Sequence, residues 1–401
     1  MNRKSLLKNR IFCAGALLVS LLFTFFYGGK VPYTLFFTVL SMIALSLLYL
    51  AAARYFCDVS CTLDKRDVIK GGEIILTIEI KNDSLLFIPY VNITYRETAE
   101  FTCDVHDESL SVGARSGKRA RVALTSKYRG RYDLNIVDIR LMDFLGIANV
   151  SAIYAKLPDA LVYPHILELD EFTAVGKFDL DNQMNPDSIS EDVTAVSDVR
   201  EYMEGDGMRR IHWNLSARMM SFMSKNYENI TKSRLTLLLN LSGKSGLEYE
   251  QRLGLEDKMI ETAVSLVYHF LNKFWNVTLC YYENEYYMYS LSDAGMFGMA
   301  YDHLAFVGFS AAYDIAKIVE NVSQETAGEF LNLCVITQDV TTELLDRVIR
   351  YAELGSRIAL LYICESAVGL DMEDWVKAIY KSPVSLYIVD ITGDLRAALA
   401  I

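Results

Sequence analysis

The stretch DVREYMEGDGMRRIHWNLSARM, residues 198–219, contains four acidic residues, four arginines, a histidine and a tryptophan. Alternating patterns typical of short strands precede it, whereas longer apolar strands that alternate with helical patterns follow it. The charged stretch therefore separates two regions of different architecture. So much charge beside aromatic rings needs a structural or functional explanation.

Residues 234–401 alternate almost continuously apolar strands with helical patterns. The predicted strands are RLTLLLNL, NVTLCYY, FLNLCVIT, SRIALLYI and VSLYIVD, and predicted helices include 256–274, 340–354 and 372–381. Such alternation is typical of a parallel sheet covered on both faces. We therefore predict a doubly wound α/β domain over 234–401, with YYENEYYMYS as an antiparallel hairpin at one edge. Its site is expected at the carboxyl ends of the strands.

Residues 58–163 alternate apolar and polar positions between turn signals. The period of two is clear in GGEIILTIEIKND (71–83), YVNITYRETAEF (90–101) and RARVALTSKYRGRYDLNIVDIRL (119–141). We predict an antiparallel β-sandwich here and interpret 164–233 as a linker that ends in the charged motif. His106 is interpreted as a solvent-exposed loop histidine.

Residues 1–57 contain no Asp or Glu, and four basic residues precede apolar runs at about 11–27 and 33–53. Each run is about long enough to cross roughly 30 Å of hydrocarbon as a helix, and GGKVP between them indicates a tight turn, so we predict a transmembrane hairpin. A cleaved signal peptide is the alternative for the first run, but no small-residue cleavage site follows it. We therefore predict a multi-pass protein of the cell membrane. The basic residues at both outer ends of the hairpin place both termini and the soluble domains in the cytoplasm.

The composition narrows the classes of function. With a net charge of -12, the chain lacks the basic surface that a general nucleic-acid-binding protein needs. Most of the seven cysteines lie in apolar runs. Cys57 and Cys61 are four apart, but no second Cys or His pair at ligand spacing completes a zinc site. We therefore expect a membrane-associated protein that binds no nucleic acid and has no disulfide framework or metal cluster.

The first strand of the predicted α/β domain ends in LLLNLSGKSG, residues 237–246. Gly243, Lys244 and Ser245 resemble the close of a phosphate-binding loop, which wraps backbone amides around phosphates. The glycine required five residues earlier is replaced by Leu238. Nucleotide binding at this loop is therefore disfavoured.

The same strand end is similar to that of von Willebrand factor A-type domains, in which Asp-x-Ser-x-Ser binds a divalent cation. The aligned residues here are Asn240, Ser242 and Lys244, and Asp339 follows a later strand. A hard cation requires oxygen ligands with net negative charge, whereas Asn240 removes a charge and Lys244 adds an ammonium that could pair with Asp339. The resemblance therefore implies a degenerate cation site without metal or cofactor.

The charged motif, placed between a β-domain and such an α/β domain, resembles the signature of the bacterial and archaeal family called domain of unknown function 58. The matching residues are Arg200, Glu201, Tyr202, Gly205, Asp206, Arg209, Ile211, His212, Trp213, Ala217 and Arg218. YRGRYDLNIVDIRLMDFLGI (128–147) is similar to a preceding segment of the family. The resemblance implies a membrane-anchored protein without established enzymatic activity, often found with MoxR-type AAA+ ATPases and transglutaminase-like membrane proteins.

Local chemistry predicts how the motif folds. DVREYM reads as a strand, Gly205 as a turn, and Asp206 as the N-cap of a helix on which Arg209 and Trp213 are i,i+4 neighbours. Arg210 and Arg218 remain to pair with acidic groups of the motif or of a partner. The motif is then either a structural latch between two domains or a docking surface, because Arg and Trp are enriched at interface hot spots. Catalysis by His212 has little support, since no nucleophile lies near it in the sequence.

We therefore predict a membrane-anchored, non-enzymatic interaction protein whose von Willebrand A-like domain docks a protein partner such as a MoxR-type ATPase. The alternative is a nucleotide- or metal-dependent hydrolase acting through Lys244 and Asp339. The missing loop glycine argues against the first kind of hydrolase, and the ammonium of Lys244 argues against the second.

Overall fold

A computed structural model of the protein describes residues 3–134, 137–151, 158–169, 189–202, 211–231, 234–244, 246–309, 314–325, 332–366 and 373–399. The chain divides into two compact units, Met1–Pro164 and His165–Ile401.

The N-terminal unit begins with two long helices, α1 (Arg3–Tyr27) and α2 (Lys30–Phe56). Within them, Leu6–Tyr27 and Lys30–Phe56 have mean hydropathies of 1.9 and 2.3 and are long and apolar enough to cross a membrane. Most of their side chains are exposed, unlike those of a core helix in a soluble domain. Gly28 and Gly29 separate the helices at φ values of 55° and 90°, which favour glycine. The two predicted apolar helices are therefore present.

The helices are followed by a region rich in sheet, as predicted. Its described strands are β1 (Cys57–Leu63), β2 (Asp67–Ile69), β3 (Glu73–Asn82), β4 (Ile88–Tyr95), β5 (Phe101–Cys103), β6 (Asp107–Val112), β7 (Ser116–Ser126), β8 (Gly130–Asp133), β9 (Val137–Met142), β10 (Asn149–Ser151) and β11 (Asp159–Tyr163).

Two four-stranded antiparallel sheets, ordered β1-β3-β7-β5 and β10-β9-β4-β6, contribute to one buried core. In β3 the apolar residues Ile74, Leu76, Ile78 and Ile80 are fully buried at every second position, which is why the alternating pattern predicted a strand. A third sheet, β2-β11-β8, departs from the antiparallel prediction because β2 and β11 pair in parallel. A parallel pair needs a long connection between its strands, and most of this region lies between β2 and β11.

A buried polar contact joins the helices to the second sheet. Asp143, directly after β9, is fully buried and accepts a hydrogen bond from Oγ of Ser46 in α2 at 2.6 Å. Its Oδ1 accepts the backbone amides of Ile147 and Ala148 at 2.8 and 2.9 Å. Nε of Arg10 in α1 donates to the carbonyl of Ile147 at 2.7 Å. The loop between β9 and β10 therefore holds both helices.

In the described part of the C-terminal unit, the strands are β12 (Ile189–Glu201), β13 (Met223–Thr231), β14 (Arg234–Leu239), β15 (Asn276–Tyr282), β16 (Tyr286–Leu291), β17 (Asn332–Thr337), β18 (Arg357–Cys364) and β19 (Ser385–Asp390). The helices there are α3 (Trp213–Met219), α4 (Tyr249–Asn272), α5 (Ala294–Phe306), α6 (Ile315–Glu325), α7 (Thr342–Glu353), α8 (Asp374–Tyr380) and α9 (Leu395–Leu399).

Six of these strands form one sheet, ordered β16-β15-β14-β17-β18-β19. All neighbours are parallel except β16, which pairs with β15 in antiparallel fashion at the edge. One buried cluster joins alternate residues of β14 to α4, α5 and α9, while Leu238 faces a second cluster with α6, α7 and α8. Helices therefore cover both faces of the sheet. The carboxyl ends of its five parallel strands lie together at one end of the sheet.

The first residues of the segment interpreted as a linker pack along α4. Alternate residues meet side chains one helical turn apart: His165 meets Glu261, Leu167 meets Ser265, and Leu169 meets His269. Two extended residues advance about 6.6 Å, and four helical residues advance about 6 Å. Because the advance of two extended residues nearly equals the advance of one turn of α4, the segment makes three contacts in succession along the helix.

Candidate functional site

The signature motif is built around the start of β13. The strands β12 and β13 pair in antiparallel fashion, with Glu201 opposite Met223, and the amide of Tyr202 donates to the carbonyl of Phe222 at 2.8 Å. On the other side of the motif, Ile211 forms a β-bridge with Ser224. The backbone of Arg200 and Glu201 lies in β12, whereas Gly205, Asp206, Arg209 and Arg210 lie outside the described residues.

The helix of the motif begins later than the sequence predicted. It starts at Trp213 with His212 as its N-cap, and Nδ1 of His212 accepts the amide of Leu215 at 3.3 Å. Because Ile211 pairs as a strand, the helix cannot continue back to Asp206. Arg209 lies outside the described residues, so its predicted contact with Trp213 stays a prediction, but the two residues do not share α3.

The short helix α3 is attached to β13 by one hydrogen bond and exposes large apolar side chains. Oγ of Ser216 accepts the backbone amide of Met223 at 2.9 Å, which fixes the helix to β13. Trp213, three residues before Ser216 and therefore on the same face of the helix, is 64% exposed, and Met220 directly after the helix is 96% exposed. The rings of Trp213 and Phe222 meet edge to face at 6.5 Å.

These side chains form what we call the α3 patch, defined as Trp213, Met219, Met220 and Phe222, all exposed. A shallow groove of about 300 Å³ runs between Trp213 and Phe222. Arg218, in the last turn of α3, is exposed beside the patch. Large apolar side chains grouped on a surface are typical of interaction sites.

At the carboxyl edge of the six-stranded sheet, Asn240 joins two neighbouring strands. Asn240 is buried directly after β14; its Nδ2 donates to Oγ1 of Thr337 at 3.0 Å and its Oδ1 accepts the amide of Ser242 at 3.1 Å. Thr337 donates to the carbonyl of Asp339 at 2.6 Å. The contact to Thr337 uses an N–H donor that an aspartate lacks. This explains the departure of Asn240 from the cation-binding pattern.

The other predicted site residues are not joined to one another. Ser242 offers its backbone carbonyl to Nε2 of Gln338, and the Asp339 side chain is exposed. Within the described ranges no ion pair joins Lys244 to Asp339, so the pairing considered from the sequence is not formed. Burial and Asp390 raise the pKa of Cys364 to about 11, and the charge of Lys244 opposes that rise.

A buried aromatic network at the end of β15 was not apparent from the sequence. The hydroxyl of Tyr281 bonds to Nδ1 of His303, and Nε2 of His303 lies 3.9 Å from Oε2 of Glu283. Oε1 of Glu283 accepts the amide of Gly308 at 2.9 Å. Burial raises the pKa of Tyr281 far above its ordinary value, so this phenol stays protonated. The network therefore attaches α5 to the sheet rather than supplying a base.

A possible ligand group lies in the N-terminal unit, where Glu97, Cys103 and His106 place one ligand atom each within 4.8 Å of one another. His106 is exposed in a loop, as interpreted from the sequence, and it lies beside the other two groups. The turns flanking β5 bring the three residues together. Burial, then Glu97 and Asp104, raises the pKa of Cys103. Because a metal binds the thiolate, this environment disfavours metal binding.

The described features define a class of protein with two N-terminal apolar helices, a sheet-rich unit and an α/β unit that carries an exposed apolar patch. Residues 198–289 match the family described as "Protein of unknown function DUF58". The match covers β12 to most of β16, and therefore the signature motif and Asn240, in agreement with the resemblance of the motif.

The chain is similar to "Uncharacterized protein YeaD" of Bacillus subtilis (strain 168), with 23% identity over 368 residues, or 88% of this chain and 87% of that protein. Among solved structures, the CARDB domain of the PF1109 protein from Pyrococcus furiosus matches at a TM-score of 0.19 and 12% identity, covering 26% of this chain and 91% of that one. Proximal thread matrix protein 1 from the mussel byssus matches at a TM-score of 0.30 and 9% identity, covering 42% and 46%. Neither structural likeness is close enough to assign a fold.

Proposed function

We propose that the protein is a membrane-anchored, non-enzymatic member of the DUF58 family whose α/β unit docks a protein partner through the α3 patch. The observation that carries this proposal is the exposure of Trp213, Met220 and Phe222 within the segment that matches the family. A MoxR-type AAA+ ATPase is the partner that the family resemblance implies.

The physical argument concerns the cost of leaving these side chains in water. Burying one such side chain at an interface is favourable by about 1.5–3 kcal/mol, and a purely structural latch would bury its tryptophan within the protein. Trp213 is instead 64% exposed, although Ser216 on the same face of α3 is buried and holds the helix to β13. Arg218 beside the patch adds a charged group of the kind that partners recognise. A docking surface is therefore favoured over a latch for this part of the motif.

The von Willebrand A-like character of the α/β unit is part of this proposal. It is supported by the parallel sheet with one antiparallel edge strand and by the position of Asn240 at the end of β14. A hydrolase acting through Lys244 and Asp339 would need both groups at one ligand. Among the described residues no ion pair joins Lys244 to Asp339, and this favours the non-enzymatic alternative.

The docking proposal is tested by measuring how the intact chain, reconstituted in nanodiscs, binds a purified MoxR-type ATPase from the same cells. Trp213→Ala is expected to weaken binding roughly 30-fold or more, the effect of losing about 2 kcal/mol at a hot spot. Tyr380→Ala is a matched control, because Tyr380 is 68% exposed on α8 of the same unit. Equal affinities of the wild type and the Trp213 variant would refute docking through the α3 patch.

Both termini and both units are proposed to be cytoplasmic, with α1 and α2 crossing the membrane as a hairpin. The support is the excess of basic residues in the first part of α1 and around the end of α2. A reporter fused after Ile401 is expected to be active only in the cytoplasm. Activity on the other side of the membrane would overturn this orientation.

A further inference from the structure

One end of the sheet-rich unit faces the membrane-type helices. Helix α2 runs directly into β1, where Cys57 lies opposite Asn82 and Asn82 lies opposite Ser116. Residues 83–87 and 113–115, which follow β3 and precede β7, therefore lie at the end from which α2 enters. The amide of Asp83 donates to the carbonyl of Phe56, the last residue of α2, at 3.2 Å.

The loop between β9 and β10 belongs to the same end, since it binds α1 and α2 through Ile147 and Asp143. Together these three loops, residues 83–87, 113–115 and 143–148, make up what we call the helix-side end. Any bilayer that contains α1 and α2 must begin next to this end.

The helix-side end exposes large apolar side chains. Leu85 is 74% exposed, and Phe87 and Phe144 are exposed as well. The ring of Phe144 also packs against Tyr49 of α2, with ring centroids 4.5 Å apart and the planes tilted by 50°. The exposed apolar surface is thus continuous with a membrane-type helix, and amphipathic surfaces of this kind bury several ångströms into the headgroup boundary.

A basic groove adjoins the apolar loop. It has a volume of about 890 Å³ and is lined by the basic residues Lys81, Arg115, Lys118 and Arg119 against the acidic residues Glu79 and Asp83. Arg119 is paired with Glu79 at 3.1 Å, whereas Arg115 and Lys118 form no ion pair with any described residue. In a chain of net charge -12, a positive groove at this position indicates an anionic ligand.

The backbone at Arg115 links the groove to the apolar loop. Its amide donates to the carbonyl of Ser84 at 2.9 Å, and its φ of 47° lies in the left-handed region that favours glycine. Glycine would relieve this backbone, so Arg115→Gly removes the side chain without adding backbone strain.

We propose that the helix-side end binds the headgroup layer of an anionic bilayer, with Leu85, Phe87 and Phe144 at the acyl boundary and Arg115 and Lys118 on lipid phosphates. This inference rests on the proposed membrane anchoring. Each basic residue near an anionic surface strengthens association about fivefold, which corresponds to about 1 kcal/mol. Loss of both is expected to weaken it roughly 25-fold.

The test places an environment-sensitive fluorophore at one position of the full chain and measures quenching by nitroxide lipids in proteoliposomes. Leu85→Cys reports the helix-side end, Leu45→Cys reports α2, and Ile69→Cys, at a position 52% exposed in β2, reports the sheet region away from that end. In vesicles of phosphatidylcholine and phosphatidylglycerol, labels at 45 and 85 are expected to be quenched and the label at 69 is not.

Quenching at 45 without quenching at 85 would overturn this inference while leaving the anchoring intact. Absence of quenching at 45 would overturn the anchoring and this inference with it.

The charge contribution is tested with Arg115→Gly combined with Lys118→Ser, which relieves the backbone strain and should leave the fold intact. This variant is expected to lose quenching at 85 in anionic vesicles, whereas Arg96→Ser, beyond the far end of β4, retains it. Equal quenching in pure phosphatidylcholine and in anionic vesicles would refute the role of the basic groove.

Discussion

The attachment of the helices to the sheets can be tested at Asp143. Asp143→Ala removes the acceptor for three hydrogen bonds, from Ser46, Ile147 and Ala148, at a fully buried position. Hydrogen bonds to charged groups contribute about 1.5–3 kcal/mol each. The two amides are only half-buried, so water replaces part of the loss. We expect the free energy of unfolding to fall by about 3–5 kcal/mol.

For a unit of this size, about 1 kcal/mol lowers the melting temperature by roughly 2–4 °C. The expected decrease is therefore roughly 6–20 °C. Unfolding in detergent can be followed with a thiol-reactive dye, because burial raises the pKa of Cys57 and Cys61 to about 11. These thiols then react mainly after the unit opens, since the thiolate is the reactive form.

Asp143→Asn is the matched control. The asparagine keeps Oδ1 as the acceptor for the two amides and can donate from Nδ2 to Oγ of Ser46, so a loss of about 1 kcal/mol is expected. Ser46→Ala removes one bond to the carboxylate and should cost about 1.5–3 kcal/mol, less than Asp143→Ala. An unchanged melting temperature for Asp143→Ala would refute the reasoning. An equal decrease for alanine and asparagine would show that the charge, not the hydrogen bonding, holds the loop.

Two further predictions concern the C-terminal unit. Burial lowers the pKa of His269 from its ordinary value of 6.5, so the unfolded chain binds the proton first, and the free energy of unfolding should decrease as pH falls through that value. Denaturant melts above and below this pH should show a smaller decrease for His269→Gln than for the wild type. An equal decrease in the variant would contradict the assignment. Millimolar magnesium should leave the melting temperature of the wild type unchanged, whereas Asn240→Asp with Lys244→Ser should gain roughly 2.7 kcal/mol at a hundred times the dissociation constant. Stabilisation of the wild type by magnesium, or none in a well-folded double variant, would contradict the proposed degenerate site.

Local patterns in the sequence were sufficient for elements whose environment repeats along the chain. The two apolar runs indicated α1 and α2 because a membrane-type helix needs only length and hydropathy. The alternation in 71–83 indicated β3, since one of its faces is buried and the other is not. The signature motif indicated the family that residues 198–289 match.

Contacts between residues far apart in the sequence were decided only by the tertiary structure. Ile211 pairs with Ser224, which moves the start of α3 to Trp213 although Asp206 is the better N-cap by residue type. The parallel pairing of β2 with β11 also joins distant segments. Residue type and spacing do not identify such partners, because the hydrogen bonds between two distant strands form only when folding brings the strands together.

The candidate site shows the same division. Its residue types, Asn240 and Lys244 in place of an acid and a hydroxyl, could be read from the sequence and implied a weakened cation site. The reason for Asn240 could not, because its amide donates to Thr337, 97 residues away on the adjacent strand. The exposure of Trp213 was equally undecided, since the sequence is compatible with a tryptophan buried in a latch or open to a partner. Burial belongs to the packed chain, and only the tertiary structure places that ring at the surface.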